Sequence, residues 1–224
     1  MPTATTVPTS VGASGNPSPV LLEACDLTCE RGERRLFHQL NLRLAAGAMI
    51  QLEGRNGAGK TSLLRLLCGL AQPQDGTVLW RGQDIRRHRL EFLAEVLYLG
   101  HHHGVKDFLT PEENLRVTLG LVVSDPAVSI RDALTRVGLA DFYDQPAHEL
   151  SAGQRRRVAL ARLLVTRATL WVLDEPFTSL DKVGVKMVEA MLQQHLDRGG
   201  AAIITTHHPV SMAHHPVEVV TLGR

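Results

Sequence analysis

The chain has 224 residues, of which 44% are hydrophobic and 21% are charged, a length and balance typical of one folded domain with a good core. Its formal net charge of +1 disfavours nucleic acid as the main partner, because nucleic-acid-binding domains usually carry a clear basic excess. No apolar run approaches the ~18 residues of a membrane span, so work at a membrane would be done from its surface or through a partner.

The first nineteen residues are rich in Thr, Ser, Pro and Gly, with neither a basic start nor a continuous apolar block. This composition is not that of a secretory signal. It buries too little apolar surface to offset the entropy of ordering, so residues 1–19 are predicted to be a disordered tail. One folded domain is then expected over residues 20–224.

Alternating and continuous apolar runs predict strands in the first half of this domain. They are LLEACDLTC, LFHQLNLRL, AMIQLE, the hairpin arm GTVLWRGQ and EVLYLG. Cys25 and Cys29 share a face of the first predicted strand. With Cys68 they form an odd set within apolar runs, which favours reduced core thiols over disulfides or a metal site.

A glycine-rich loop joins the strand AMIQLE to the apolar helix TSLLRLLCGL. Gly54, four further residues, Gly59, Lys60 and Thr61 have the spacing of the phosphate-binding loop of nucleotide triphosphatases. Glycines let backbone amides approach phosphate oxygens, and the helix points its positive end at the same anion. Lys60 is expected to reach the terminal phosphates and Thr61 to offer its hydroxyl to Mg²⁺. A mere glycine-rich turn is disfavoured once the flanking strand and helix are counted.

Two helix-start patterns within residues 106–150 predict a helical insertion. Residues 110–113 supply an N-cap threonine, a first-turn proline and a capping-box acid for the helix EENLRVTLGL. Ser129 with Asp132 repeats this device before the helix IRDALTRVGL.

From residue 151 onward, helices and strands alternate, which predicts a mostly parallel sheet with its ligand at the carboxyl ends of the strands. The strand LWVLDE ends in Asp174, which could complete a Mg²⁺ shell, and Glu175, which could polarise an attacking water. Two acids closing a strand are common, but these follow a phosphate loop at a suitable distance. Between the two motifs, Ser151 is placed as an N-cap and Gly153 leaves a second helix start open to an anion.

The segment LSAGQ, from Leu150 to Gln154, matches the signature of the ATP-binding-cassette family, which the chain resembles in motif order and spacing over nearly all of residues 20–224. The resemblance implies an α/β fold with a P-loop NTPase core, an N-terminal antiparallel β subdomain and an α-helical subdomain inserted at about residues 106–165. It implies ATP and Mg²⁺ as cofactors. It also implies a head-to-tail homodimer, in which the signature of one subunit closes over the nucleotide on the phosphate loop of the other.

The same resemblance assigns roles to individual residues. The nucleotide-binding residues are Gly54, Arg55, Asn56, Gly57, Ala58, Gly59, Lys60, Thr61 and Ser62. The signature residues that act on the partner's nucleotide are Ser151, Ala152, Gly153 and Gln154. The loop that crosses the dimer interface is Ser179, Leu180 and Asp181. The expected catalytic residues are Glu175, which would polarise the attacking water, and His207. His207 follows AAIITT, at the place where the family contacts the γ-phosphate.

Two positions depart from the family pattern. Most cassettes stack an aromatic residue on adenine near the end of the first strand. The segment TCERGERR offers either Arg31, whose guanidinium plane can stack on a base, or no stacking partner. Most also carry a glutamine after the strand equivalent to EVLYLG, where this chain has three histidines. His102 is closest to it in position. Because Mg²⁺ prefers oxygen ligands, His102 is expected to act on the metal through a bound water. The alternative is that His102 only lines a solvated loop.

Longer stretches, among them IQLEGRNGAGKTSLLRLLCGL, resemble the ATP-binding subunits of bacterial haem exporters of cytochrome c biogenesis. That resemblance implies a peripheral ATPase on the cytoplasmic face of the bacterial inner membrane, bound to separate integral membrane subunits of the CcmB and CcmC type. Two other functions stay open: a soluble cassette ATPase acting on ribosomes or DNA, and a haem- or metal-binding regulatory protein. The lack of a basic excess disfavours the first, and the lack of ligand spacing among the eleven histidines disfavours the second.

Overall fold

The computed structural model of the chain describes residues 18–32, 34–120, 122–210 and 212–223, which form two sheets with flanking helices. The strands are β1 Val20–Arg31, β2 Arg34–Ala45, β3 Met49–Glu53, β4 Asp75–Trp80, β5 Gln83–Asp84, β6 Val96–Leu99, β7 Leu170–Asp174, β8 Ala201–Thr205 and β9 Val217–Thr221. The helices are α1 Lys60–Leu67, α2 Arg89–Glu95, α3 Pro111–Leu119, α4 Ile130–Arg136, α5 Ala152–Val165 and α6 Lys182–Asp197.

The four strands β2, β1, β4 and β5 form an antiparallel sheet in that order. The central strand β1 sets Leu22 opposite Leu44 on one side and opposite Trp80 on the other. Its register shifts several times, with Asp26 at a positive φ of 51°, so a strict two-residue alternation does not hold along it. Cys29 is consequently buried while Cys25 is half-buried, and the three cysteines form no disulfide.

The second sheet is parallel, with the strand order β6-β7-β8-β3-β9. All residues of β7 and β8 are buried, as expected for strands that helices cover on both faces. In the register of this sheet Asp174 pairs with Thr205, and Thr205 pairs with Leu52 near the end of β3. The phosphate loop, the two carboxylates and the segment after β8 therefore leave the sheet at the same edge.

Two cores pack on the two faces of the parallel sheet. One joins the antiparallel sheet and α1 to the sheet through residues such as Leu22, Leu63 and Ile203. The other core packs the four helices α3, α4, α5 and α6 on the opposite face of the sheet, through residues such as Leu134 and Leu160. The antiparallel sheet and the helical segment thus hold the phosphate loop and the signature on one framework.

Most predicted elements are confirmed, with differences at their ends. Thr110 forms a full capping box with Glu113, with Pro111 in the first turn. At α4 the box is half-formed, because the Ser129 hydroxyl donates to the Asp132 carboxylate (2.6 Å), which was expected to reach the Ser129 backbone. Helix α2 was not predicted.

The predicted disordered tail lies outside the described residues except for its last two. Of these, Pro19 accepts a hydrogen bond from the Ala46 amide (2.9 Å). The helices in the described part of the chain lack the length and apolarity that crossing a bilayer requires. The boundaries of the domain and of the inserted helical subdomain stay predictions.

Candidate nucleotide site

The loop between β3 and α1 has the backbone that its glycines permit. Gly54 and Gly59 have φ values of 142° and 101°, and Gly59 is the N-cap of α1. A Cβ on Gly54 would lie 2.6 Å from the Leu222 carbonyl oxygen, so only glycine fits there. The Lys60 ammonium donates to the Gly54 carbonyl (2.6 Å), which folds its charge back over the loop where phosphates are expected to bind.

Hydroxyl and carboxylate oxygens meet where helix α1 begins and where strands β7 and β8 end. The Thr61 hydroxyl donates to Asp174 Oδ2 (2.9 Å), and the fully buried Thr205 hydroxyl donates to Asp174 Oδ1 (2.6 Å). Asp174 itself is only 4% exposed. This set of oxygens beside a phosphate loop fits the chemistry that Mg²⁺ prefers.

Glu175 follows the sheet in an uncommon conformation, with φ at 51°. Its amide donates to the Thr205 hydroxyl (2.9 Å) and to the Thr205 carbonyl (3.1 Å). Its side-chain oxygen lies 3.7 Å from Nε2 of His207, a side chain that is 71% exposed. The structure therefore brings the two predicted catalytic side chains together.

A cleft of about 500 Å³ runs between the phosphate loop and the two carboxylates. Its lining residues are Arg31, Arg34, Leu36, Arg55, Asn56, Gly57, Gly59, Lys60, Thr61, Ser62, His101, Asp174 and Glu175. Lys60 also lines an adjoining cleft of about 310 Å³ with Gly54 and His207, while Ala58 is buried beneath the loop. Most of the predicted nucleotide-binding residues thus share one cavity.

Among the described residues that line this cleft there are arginines but no Phe, Tyr or Trp. Arg31 is joined there by Arg34, which sequence reasoning missed, so stacking of Arg31 on the base stays a prediction. The histidine that lines the cleft is His101. His102 is exposed, with its ring 5.7 Å from that of His101, and its predicted action on Mg²⁺ is also untested.

The signature begins helix α5 with a full capping box. The Ser151 hydroxyl accepts from the Gln154 amide (3.2 Å), and the Gln154 side chain accepts from the Ser151 amide (2.8 Å). Ser151 and Ala152 are exposed, and the signature does not line the cleft of the phosphate loop in the same chain. A Cβ on Gly153 would lie 2.8 Å from the Ser179 carbonyl oxygen, so the signature packs tightly against the predicted dimer loop.

The predicted dimer loop is tied to helices α5 and α6. Asp181 is the N-cap of α6 and accepts from the Gly184 amide (2.8 Å) and from Arg157 (2.9 Å). The bond from the Gly184 amide, followed by the charge and bond of Arg157, lowers the pKa of Asp181 below its usual range. Leu180 is half-buried, while Ser179 is exposed at a φ of 65°.

Comparison with known proteins places this geometry in a family. A family model described as ABC transporter matches residues 37–178, which span the phosphate loop, the signature and both carboxylates. The chain is 53% identical over 194 residues to the cytochrome c biogenesis ATP-binding export protein CcmA of Pseudomonas fluorescens (strain Pf0-1), with 87% of this chain and 92% of that protein covered. The chain belongs to the CcmA branch of the ABC transporter family.

Further similarities agree with this placement of the ABC protein. It is 52% identical over 188 residues to CcmA of Methylococcus capsulatus (strain ATCC 33009 / NCIMB 11132 / Bath), covering 83% of this chain and 90% of that protein. Among solved structures, it resembles cbiO1 from Clostridium perfringens, part of the ABC transporter complex cbiONQ, with a TM-score of 0.69 and 25% identity over 85% of this chain and 80% of that chain. The predicted family, branch and fold are confirmed, and the ABC protein is an ATPase of a class that couples hydrolysis to transport.

A residue that sequence reasoning missed lies behind the carboxylates of this ABC protein. Arg156 of α5 is 1% exposed and donates to the carbonyls of Glu175 (2.7 Å), Pro176 (3.2 Å) and Asp174 (3.3 Å). Helical spacing could have found it, because Arg156 shares a face with Leu160 and Leu163, both buried. Desolvation lowers its pKa, and the charges of Asp174 and Glu175 oppose this shift.

Replacing Thr205 by valine is expected to lower the free energy of unfolding of the ABC protein by about 1–3 kcal/mol, because the Asp174 carboxylate loses a buried donor. Urea unfolding measures the loss. Thr118→Val is the control, since the Thr118 hydroxyl donates only to the Asn114 carbonyl one turn back in its own helix, a bond of small net value. Equal losses in the two variants would contradict a special contribution of Thr205.

Proposed function

We propose that the chain is the ATP-hydrolysing subunit of a transporter complex that serves cytochrome c biogenesis, with haem as the transported group. The observation that carries the proposal is the 53% identity to a cytochrome c biogenesis ATP-binding export protein, which covers 87% of this chain and 92% of that protein. The chain contains a phosphate loop, a signature and a carboxylate pair. These three features support ATP hydrolysis as the reaction that this subunit contributes to the complex.

The geometry supports a division of labour in the cleft. Lys60 and the backbone amides of residues 56–61 bind the phosphates, and the positive end of α1 adds to that attraction. Thr61 and Asp174 are the residues that would hold Mg²⁺, with His102 acting through a water. The metal supplies positive charge that offsets the charge of the phosphates.

Glu175 and His207 face the terminal phosphate in this proposal. The Glu175 carboxylate orients the attacking water and accepts its proton, while His207 contacts the γ-phosphate. The distance of 3.7 Å between the two side chains supports their action on one reacting group. Arg31, which lines the same cleft, stacks on the base.

A head-to-tail homodimer completes the site. The exposed start of α5 at Ser151 offers a helix terminus to an anion, yet in the same chain it lies outside the cleft of Lys60. In the dimer, Ser151 to Gln154 of one subunit close over the nucleotide of the other, and residues 179–181 cross the interface. Two ATP molecules are then held between the subunits.

In this proposal the subunit works at the cytoplasmic face of the bacterial inner membrane, as a peripheral protein held by integral membrane subunits of the CcmB and CcmC type. The names of the similar proteins, which are export proteins of cytochrome c biogenesis, support this place.

Affinity purification of the tagged full-length chain from native membranes tests the proposal. We expect integral membrane proteins of the exporter to copurify, and to be missing when the same chain is purified from cells that lack those subunits. Copurification of ribosomes or DNA in their place would contradict the proposal. So would a stoichiometric load of haem on the isolated chain, which would indicate a haem-binding protein.

A further inference from the structure

We propose that Arg156 and His103 form a positioning pair that sets the backbone after β7 and thereby aims the Glu175 carboxylate into the cleft. The inference rests on the proposed role of Glu175 in hydrolysis and goes beyond it, because neither residue touches the phosphate loop. It assigns a task to one histidine of the three-histidine segment and to one buried arginine of the signature helix.

The first part of the argument is the number of backbone groups that Arg156 holds. Three consecutive carbonyls, those of residues 174–176, accept from its Nε and Nη2 at distances of 2.7 to 3.3 Å. The guanidinium is planar and rigid, so it fixes the mutual orientation of these carbonyls. The fixed segment includes Glu175, whose φ of 51° is uncommon for a residue with a side chain and needs support from its surroundings.

The second part is the side chain that orients the guanidinium. Arg156 Nη1 lies 3.0 Å from Nδ1 of His103. Arginine carries only donors, so His103 Nδ1 is the acceptor and the ring proton is on Nε2.

The third part is where the two residues come from. His103 lies in the loop after β6, beside His101, which lines the nucleotide cleft. Arg156 lies one turn inside the helix that begins at Ser151. The pair therefore connects the histidine loop and the signature helix to the same three carbonyls, so that a shift of either element moves the Glu175 backbone.

The test measures ATP turnover of the full-length chain in the complex with the membrane proteins that copurify with it, and binding of a non-hydrolysable ATP analogue. His103→Ala is expected to lower kcat by roughly 5- to 50-fold, since misplacing a catalytic group by about 1 Å can cost 10²-fold. Analogue affinity should stay within about twofold, because the phosphate loop is untouched. His103→Asn, whose amide oxygen can accept in place of Nδ1, should recover most of the turnover.

A second pair of variants probes the arginine. Arg156→Lys should lower kcat by roughly 10- to 100-fold, because one ammonium cannot reproduce the planar fork. Arg155→Lys is the matched control in the same helix. Arg155 donates to the Ala147 and Leu150 carbonyls and does not reach residues 174–176, so its turnover should stay close to that of the wild type. If Arg156→Lys does not fold by circular dichroism, the His103 series decides.

The double variant His103→Ala, Glu175→Gln tests whether His103 acts through Glu175 or through a general effect on the fold. Residues that act through Glu175 should cause little further loss once its carboxylate is gone. An equal fold-loss with and without that carboxylate would overturn the pairing, and so would unchanged kcat in His103→Ala. Wild-type turnover in Glu175→Gln alone would instead contradict the role proposed for Glu175.

Discussion

Replacing Glu175 by glutamine is expected to slow ATP hydrolysis by about 10²- to 10⁴-fold, the usual loss when a positioned general base is removed. This corresponds to about 3–5 kcal/mol of activation free energy. The amide keeps the shape of the side chain but cannot accept a proton from water. The phosphate loop is unchanged, so ATP binding should persist, and ATP should hold the variant in the closed dimer for longer than the wild type.

Steady-state ATPase assays, ATP-binding measurements and sedimentation with and without ATP test these expectations. Glu189→Gln is the control, because Glu189 lies on α6 beside His208 (3.4 Å) and does not line the cleft of the phosphate loop. Its turnover should match that of the wild type. Equal turnover in Glu175→Gln and the wild type would remove Glu175 from the mechanism.

Lys60→Ala and Ser151→Arg are each expected to abolish most turnover as homodimers, for different reasons. In the proposed dimer, Lys60 contributes a charge to the phosphates in its own subunit, whereas Ser151 belongs to the helix start that closes over the nucleotide of the partner. In a head-to-tail dimer of one Lys60→Ala subunit and one Ser151→Arg subunit, both lesions fall in one site. The other site has a native lysine and a native signature.

Mixing the two inactive variants should therefore restore ATP hydrolysis above the level of either alone. The control is a mixture of Lys60→Ala with a Lys60→Ala, Ser151→Arg double variant, in which every dimer lacks an intact lysine and no recovery is expected. Mixed dimers that form, as shown by two different tags in one complex, and yet stay inactive would contradict the head-to-tail arrangement.

Local rules in the sequence predicted the parts of the site that depend on spacing along the chain. The phosphate loop needs glycines at fixed intervals between a strand and a helix, and the loop at Gly54 to Thr61 has that form. The N-cap at Ser151 was predicted from the residue type alone. Asp174 and Glu175 were predictable because parallel strands of one sheet end at one edge, which brings their last residues toward the phosphate loop.

Contacts between distant segments were not predictable in the same way. The bond between His103 and Arg156 joins residues 53 positions apart, and no local pattern pairs them. Helix α2 was missed because its seven residues bury only Phe92 and so carry little apolar periodicity. Cys25 and Cys29 were predicted to share a face of β1, but only Cys29 is buried. Register shifts in β1 lie between the two residues and alter which side of the strand each one faces.

The close approach of Gly153 to the Ser179 carbonyl joins two segments of each subunit that the proposed dimer assigns to different nucleotides. Residue 179 follows the carboxylates of the subunit's own cleft, while the helix start at residue 153 serves the partner's cleft in the proposed dimer. Because this carbonyl leaves no room for a Cβ on residue 153, contact opposes any shift of one segment toward the other. In the proposed dimer, this contact would couple the two ATP sites, and a coupling free energy between them would be the same in both directions.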